Sequence, residues 1–428
     1  MFAFKLGLRS LFFRRKQYIS LLAVCIAGVG ISLFCLFLMD GMLRSLSMKS
    51  KIYYGGDLQF IGGNGTLNFS NVDETIAKIE PVFPSNAIIS PRYDFSAGNS
   101  ALYFEGTGVR QRVIKGVDFT KEDQLFSQFT YVSGDAKSIA GTNGILLSDP
   151  IAKMLCIHTG DSVTLMLKNI RGYTNTVQLE VKGIFKDSSL FGMYTSYMDI
   201  DCLRLAYGCG HKEANRIGVF FPEQAPSSKD VASYQSSLEK LFTMFPQVTD
   251  KQLFYDKLLT GQLTGETYAL ITLFANLQDV RILIDAMHGI AAFIIIILIL
   301  IIVIGISSTY RVLIMKRSNE IGIYKAIGME RKGIMHVLLS ETLVLLVCGC
   351  AGGFLFAFIL CKCISFWNLS FIPAFDIFLS NGILVPLIKF LPVAVISLTV
   401  IVTTVFAVLF SVKKTVIMTP IEALAVTE

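Results

Sequence analysis

The sequence predicts a membrane protein: four transmembrane α-helices, with a large α+β extracytoplasmic domain inserted between helices 1 and 2. Three observations lead there. Of the 428 residues, 53% are hydrophobic and only 16% charged, and the mean hydropathy is +0.59, which excludes both a disordered chain and an ordinary soluble enzyme. Four stretches, 17–39, 289–310, 342–361 and 390–412, contain no Asp, Glu, Lys or Arg and hold 23, 22, 20 and 23 residues. A helix needs about 20 residues, at about 1.5 Å each, to cross hydrocarbon. Between the first two lies a charged segment, 40–288, in which apolar residues alternate at period two over 162–167 and 176–185, the pattern of half-buried strand.

The elements follow in order. Residues 1–16 set Phe2, Leu6, Leu11, Phe12 and Phe13 among five cations, which suits an amphipathic helix in the inner interface or a plain anchor flank. The run 17–39 is too long for the apolar part of a signal peptide and no small-residue cleavage site follows it, so it is expected to remain as an anchor. Within 40–288, amphipathic helices are expected over 73–79 and 231–242, and a strand-rich subdomain over about 116–204. The second span, 289–310, leads to a loop, 311–341, and the third span, 342–361. A short external loop, 362–389, precedes the fourth span, 390–412, and the tail, 413–428.

Orientation follows from the cations. Lys5, Arg9, Arg14, Arg15 and Lys16 precede the first span, Arg311, Lys316, Arg317, Lys325, Arg331 and Lys332 lie between the second and third, and Lys413 and Lys414 follow the fourth. Those three segments share one side, and their positive charge makes it the cytoplasm, with both termini inside a cell inner (plasma) membrane. The segment 40–288 has 23 basic and 26 acidic residues, so the chain's net +6 arises entirely outside it. The basic balance is therefore topological and gives no support for nucleic-acid binding.

Catalytic chemistry is not indicated. A phosphate-cradling loop needs Gly-Lys before Ser or Thr, and Gly-Lys does not occur. Gly62, Gly63 and Gly65, and the pair Gly106 and Gly108, lack nucleotide-loop spacing and read as turns. No metal-binding His or Cys spacing exists, and His158, His211, His288 and His336 are scattered. Cys25, Cys35, Cys348, Cys350, Cys361 and Cys363 lie in or beside spans. The three others, Cys156, Cys202 and Cys209, exclude a disulfide framework but leave open one bridge between Cys202 and Cys209. No metal or cofactor is expected on this chain.

The loop 311–341 is the most informative segment. Glu320, Ile321, Gly322, Ile323, Tyr324, Lys325, Ala326, Ile327 and Gly328 space apolar residues three and four apart and end on a glycine suited to a left-handed helix cap. Such a short helix is either an interfacial connector or a knob that docks in another protein's groove. In the third span, Gly349 and Gly353 allow close helix packing, within one subunit or between two. Glu341 is costly in hydrocarbon and should face protein or interfacial water, with interfacial placement expected over a buried functional acid. Phe34, Phe37, Leu38, Phe358 and Phe366, in or beside the outer halves of spans, offer material for an apolar cargo cavity.

The run Asn319 to Gly328 resembles the E-I-G-[IVL]-x-[KR]-[AT]-[LIM]-G signature of FtsX-like and MacB-like ABC transporter permeases, with Asn319 ahead of it where Arg is more usual. The stretch Gly144-Ile145-Leu146-Leu147-Ser148, then Thr159-Gly160-Asp161-Ser162-Val163, and Val181-Lys182-Gly183-Ile184-Phe185 are similar to their external-domain pattern. The layout is closest to that of the lipoprotein-releasing LolC/LolE subunits, and Lys115-Gly116-Val117-Asp118 resembles an element of theirs. Residues 168–175, however, are too short, and lack the proline, of the LolC hook for a periplasmic carrier. The resemblance implies a MacB-like periplasmic domain over 40–288 and a non-catalytic subunit. Its partners would be a cytoplasmic ABC ATPase dimer carrying ATP and Mg, a second permease subunit in a homo- or heterodimer, and membrane lipids. Glu320 to Gly328 would be the ATPase-coupling helix. The function implied is mechanotransmission to the periplasmic domain for lipoprotein release, with the use of a periplasmic carrier or adaptor left open. Efflux of hydrophobic compounds or peptides with periplasmic adaptors is the alternative, and a receptor or scaffold without ATPase is the reading from another class.

Overall fold

The computed structural model describes residues 15–416 apart from 66, 97, 99, 188, 190, 223, 264, 317, 370–372 and 381. The amphipathic segment 1–16 and the tail 413–428 therefore lie almost wholly outside the described residues. The chain divides into two compact units, one of 1–42, 284–367 and 384–428, the other of 43–283 and 368–383.

The first unit is helical. Its long helices are α1 (Arg15–Tyr54), whose C-terminal part belongs to the second unit, α7 (Gln278–Lys316), α9 (Arg331–Ser365) and α10 (Phe390–Val416), joined between α7 and α9 by the short α8 (Ser318–Ala326). Among the described residues, four helices are long and apolar enough to cross a membrane. Along α1, Tyr18, Leu21, Cys25, Val29, Leu33 and Phe37 recur at three and four residues and are all buried, because that spacing puts them on one face. They meet Ile302, Ile306 and Tyr310 of α7, Ile334, Leu338 and Leu345 of α9, and Ile396 and Val400 of α10 in one core. The uncharged runs mark only the apolar middles of these helices. Three continue well past them, because an α-helix satisfies its own backbone in water as in lipid.

The second unit is built on one mixed sheet. Its strands are β1 (Leu58–Asn64), β2 (Ile88–Ser96), β3 (Ala101–Phe104), β4 (Thr107–Arg110), β5 (Val113–Val117), β6 (Tyr131–Gly134), β7 (Gly144–Ser148), β8 (Ser162–Lys168), β9 (Thr174–Phe185), β10 (Thr195–Asp199), β11 (Arg216–Phe220) and β12 (Glu266–Thr272). They run in the order β12-β1-β11-β2-β5-β10-β7-β9-β8-β3-β4, with β6 on β9. The pairs β5/β10 and β7/β9 are parallel. Helices α2 (Val72–Ile79), α3 (Asp149–Leu155), α4 (Ile200–Tyr207), α5 (Ser228–Leu238) and α6 (Gln252–Leu259) pack around it. A capping box starts α5, with Ser227 and Asp230 each satisfying the other's backbone N–H. The helix expected over 231–242 thus begins earlier, at this cap, and ends at Leu238.

Strands extend on both sides of the strand-rich stretch expected over about 116–204, from Leu58 to Thr272. The missed β1 is buried over Leu58–Gly63 and the missed β11 over Ile217–Phe220. Strands buried on both faces lose the period-two signal. Gly62 and Gly63, expected in a turn, lie inside β1 instead, where Gly62 pairs with Tyr268 and Gly63 with Thr267 of β12.

Candidate functional site

The connection between α7 and α9 folds as the short helix α8. Ile321 is 5% exposed and belongs to the core that holds Ile334 and Leu338 of α9, and Tyr324 packs against the same core. The helix ends in a Schellman arrangement: Met329 N–H donates to Tyr324 O at 2.9 Å and Gly328 N–H to Lys325 O at 3.0 Å. Gly328 has φ +92, which a residue with a Cβ rarely adopts. The chain reverses there, and α9 begins after Glu330.

The exposed side of α8 does not include Gly322, which is buried beside Ile321. Exposed instead are Ile323 at 53% and Ile327 at 78%, with Ala326 and Gly328; Glu320 and Lys325 are half-buried. A helix anchored by one isoleucine that presents two more outward has an apolar face in search of a cover.

The glycines of α9 meet α1 of the same chain. A Cβ at Gly349 would lie 2.8 Å from Cys25 Cβ, and one at Gly353 would lie 2.9 Å from Val29 Cβ. Glu341 is fully buried and accepts a hydrogen bond from Tyr18 Oη at 2.9 Å. Of the two surroundings expected for Glu341, water or protein, the structure therefore gives protein, which is where a carboxyl group inside a helical bundle must find its partners. Tyr310 Oη donates to Leu338 O at 2.7 Å, adding a polar tie between α7 and α9.

The residues suggested for a cargo cavity are not in one environment. Phe37 is fully buried and packs edge-on against Phe354, with ring centroids 6.5 Å apart. Phe34 and Leu38 are half-buried, and Phe358 and Phe366 are 39% and 85% exposed. Phe37 is thus core rather than cavity lining. In the second unit, the turn between β8 and β9 is held by Asn169 Oδ1, which accepts from Arg171 N and Tyr173 N. Cys202 and Cys209 are free thiols.

Residues 292–420 match the family model described as FtsX-like permease C-terminal, a stretch that begins within α7 and takes in α8 and α9. No curated protein matches the chain. Among solved structures, the crystal structure of the periplasmic region of MacB from Actinobacillus actinomycetemcomitans is similar, at 11% identity and a TM-score of 0.29. The match covers 44% of this chain and 85% of that one.

Proposed function

We infer, from a chain whose residues 292–420 match an FtsX-like permease, that it is the transmembrane, non-catalytic subunit of an ABC transporter and that α8 couples it to the ATPase. The observation that carries the coupling role is the exposed pair Ile323 and Ile327 on a helix fixed by buried Ile321 and by the Gly328 turn. An apolar face on a rigid, capped helix suits a groove in a partner, and its rigidity lets motion of that partner reach α7 and α9. ATP and Mg belong to the partner. The cations flanking the spans support a cytoplasmic α8 and cytoplasmic termini, with the sheet unit on the outer side. The layout of one span, a large insert and three spans supports lipoprotein release as the work done.

The test is purification of the native complex from membranes. An ATPase together with an acylated protein supports lipoprotein release, an ATPase with a periplasmic adaptor supports efflux, and no ATPase overturns the transporter reading. In the same preparation Ile327→Glu and Ala326→Glu should each remove the ATPase, since docking would bury an unpaired charge, while the permease still inserts. Retention of the ATPase by both variants makes α8 a lipid-facing connector.

A further inference from the structure

A pocket of about 280 Å³ opens in the second unit between the end of α1, the strands β11, β2 and β5, and the start of α6. Asp94 of β2 stands opposite Lys115 of β5 in the sheet register, and Arg216 of β11 reaches the same carboxylate. Lys115 Nζ lies 2.5 Å and Arg216 Nη1 3.0 Å from Asp94 Oδ2. One carboxylate is thus shared by two cations at the floor of a partly enclosed space. Lys251, at the start of α6, also lines it, its Nζ donating to Asn276 O at 3.4 Å. Arg92 adds no charge, because Glu122 pairs with it.

The cations are held in place before any ligand arrives. Lys115 Nζ sits 4.2 Å from the centre of the Tyr53 ring, and Lys251 Nζ 4.8 Å from that of Tyr54, so consecutive tyrosines at the end of α1 each hold one ammonium group. Lys115 is 1% exposed, and among the described residues neither the buried Nε of Arg216 nor Asp94 Oδ1 has a hydrogen-bond partner. Asp94 offsets only one of the three cations Lys115, Arg216 and Lys251 that line the pocket, so its net charge is positive and favours an anion. The volume lies just below the range of about 300–1,000 Å³ common for drug-sized ligands, so the anion must be small.

We propose that this pocket is a binding site for a small anion bearing a carboxylate or phosphate group, held by Arg216 and Lys251 beside the Tyr53 and Tyr54 rings. The site does not depend on the coupling role of α8. Because both tyrosines belong to α1, occupancy would change the packing at the end of that helix.

The test is titration calorimetry on the full chain in detergent micelles at constant ionic strength, with inorganic phosphate and succinate as separate probes. The expected result is one saturable site, weakened at least tenfold by Lys251→Gln and restored by Lys251→Arg. Tighter binding of phosphate assigns a phosphate-bearing ligand, and tighter binding of succinate a carboxylate. Lys229→Gln, at an exposed cation on α5, should change nothing. Absence of saturable binding by both probes overturns the proposal, as does equal weakening by Lys229→Gln or no weakening by Lys251→Gln. Lys251 is half-buried, so its variants keep the test independent of whether Arg216→Gln folds.

Discussion

Tyr18 and Glu341, 323 residues apart in sequence, are joined by a 2.9 Å hydrogen bond in the interior of the helical unit. The bond ties α1 to α9 through a carboxyl group with no exposure to solvent. Tyr18→Phe keeps the ring and removes the donor. The expected cost is about 1 kcal/mol, read as a lower melting temperature of the full chain in micelles. An unchanged melt would mean that the tyrosine hydroxyl adds nothing to the joint.

Arg92 and Glu122 form a second buried joint. Arg92 Nε donates to Glu122 Oε1 at 2.9 Å and Nη1 to Ile52 O at 2.6 Å, and both side chains are fully buried. Arg92→Met strands a carboxylate and should cost about 3–5 kcal/mol. Adding Glu122→Leu should recover part of that loss, because the stranded charge disappears. Calorimetric melts of the single and double variants decide it; a double variant weaker than Arg92→Met would contradict the pairing.

The contact between Gly349 and Cys25 separates packing within the chain from association between chains. Gly349→Ala should destabilise by about 1–3 kcal/mol, and Cys25→Gly should relieve the clash by making room on the other helix. If Gly349 served only self-association, Gly349→Ala would lower the dimer fraction in crosslinking and Cys25→Gly would not restore it.

Lys115 gives a pH dependence. Burial pushes its ammonium down to about 8 even though Asp94 opposes the shift, with Arg216 and Arg92 reinforcing burial; the Tyr53 ring faces it from α1. The sign follows from linkage: between about pH 8 and the ordinary lysine value of about 10.4, the unfolded chain holds a proton that the folded chain has released. This group therefore makes stability rise with pH in that window, by up to about 1.4 kcal/mol per unit. Lys115→Met should remove that component from melts compared at pH 7.5 and 9.5, and an identical pH response in the variant would refute it.

Much of the architecture was readable in the sequence because its signals are local. Charge-free runs follow from hydrocarbon thickness, and β8 and β9 alternate because one face of each is exposed. Gly328 reads as a helix end because the required backbone is local too. What was not readable depends on distant partners. No periodicity reveals that Gly322 faces inward, since that depends on how α8 leans on α9. Asp94, Lys115, Arg216 and Lys251 look like solvated charges in sequence, and only the strand order β11-β2-β5 gathers the first three. Phe37 and Phe366 have the same side chain, yet one is core and the other exposed.

The strand pair β1 and β12 also determines how the sheet unit responds to pulling. Leu58 opens β1 and Thr272 closes β12, and the two are register partners, so the segment between α1 and α7 begins and ends at neighbouring points. Leu273 N–H donates to Asp57 O at 2.8 Å beside them. If the two roots were drawn apart, the ladder would open like a zipper from Leu58 and Thr272 toward Asn64 and Glu266, loading its bonds in turn. If they moved together, the ladder would carry no load. The insert therefore follows a shared stroke of its two roots without strain on this ladder and is weak toward their separation.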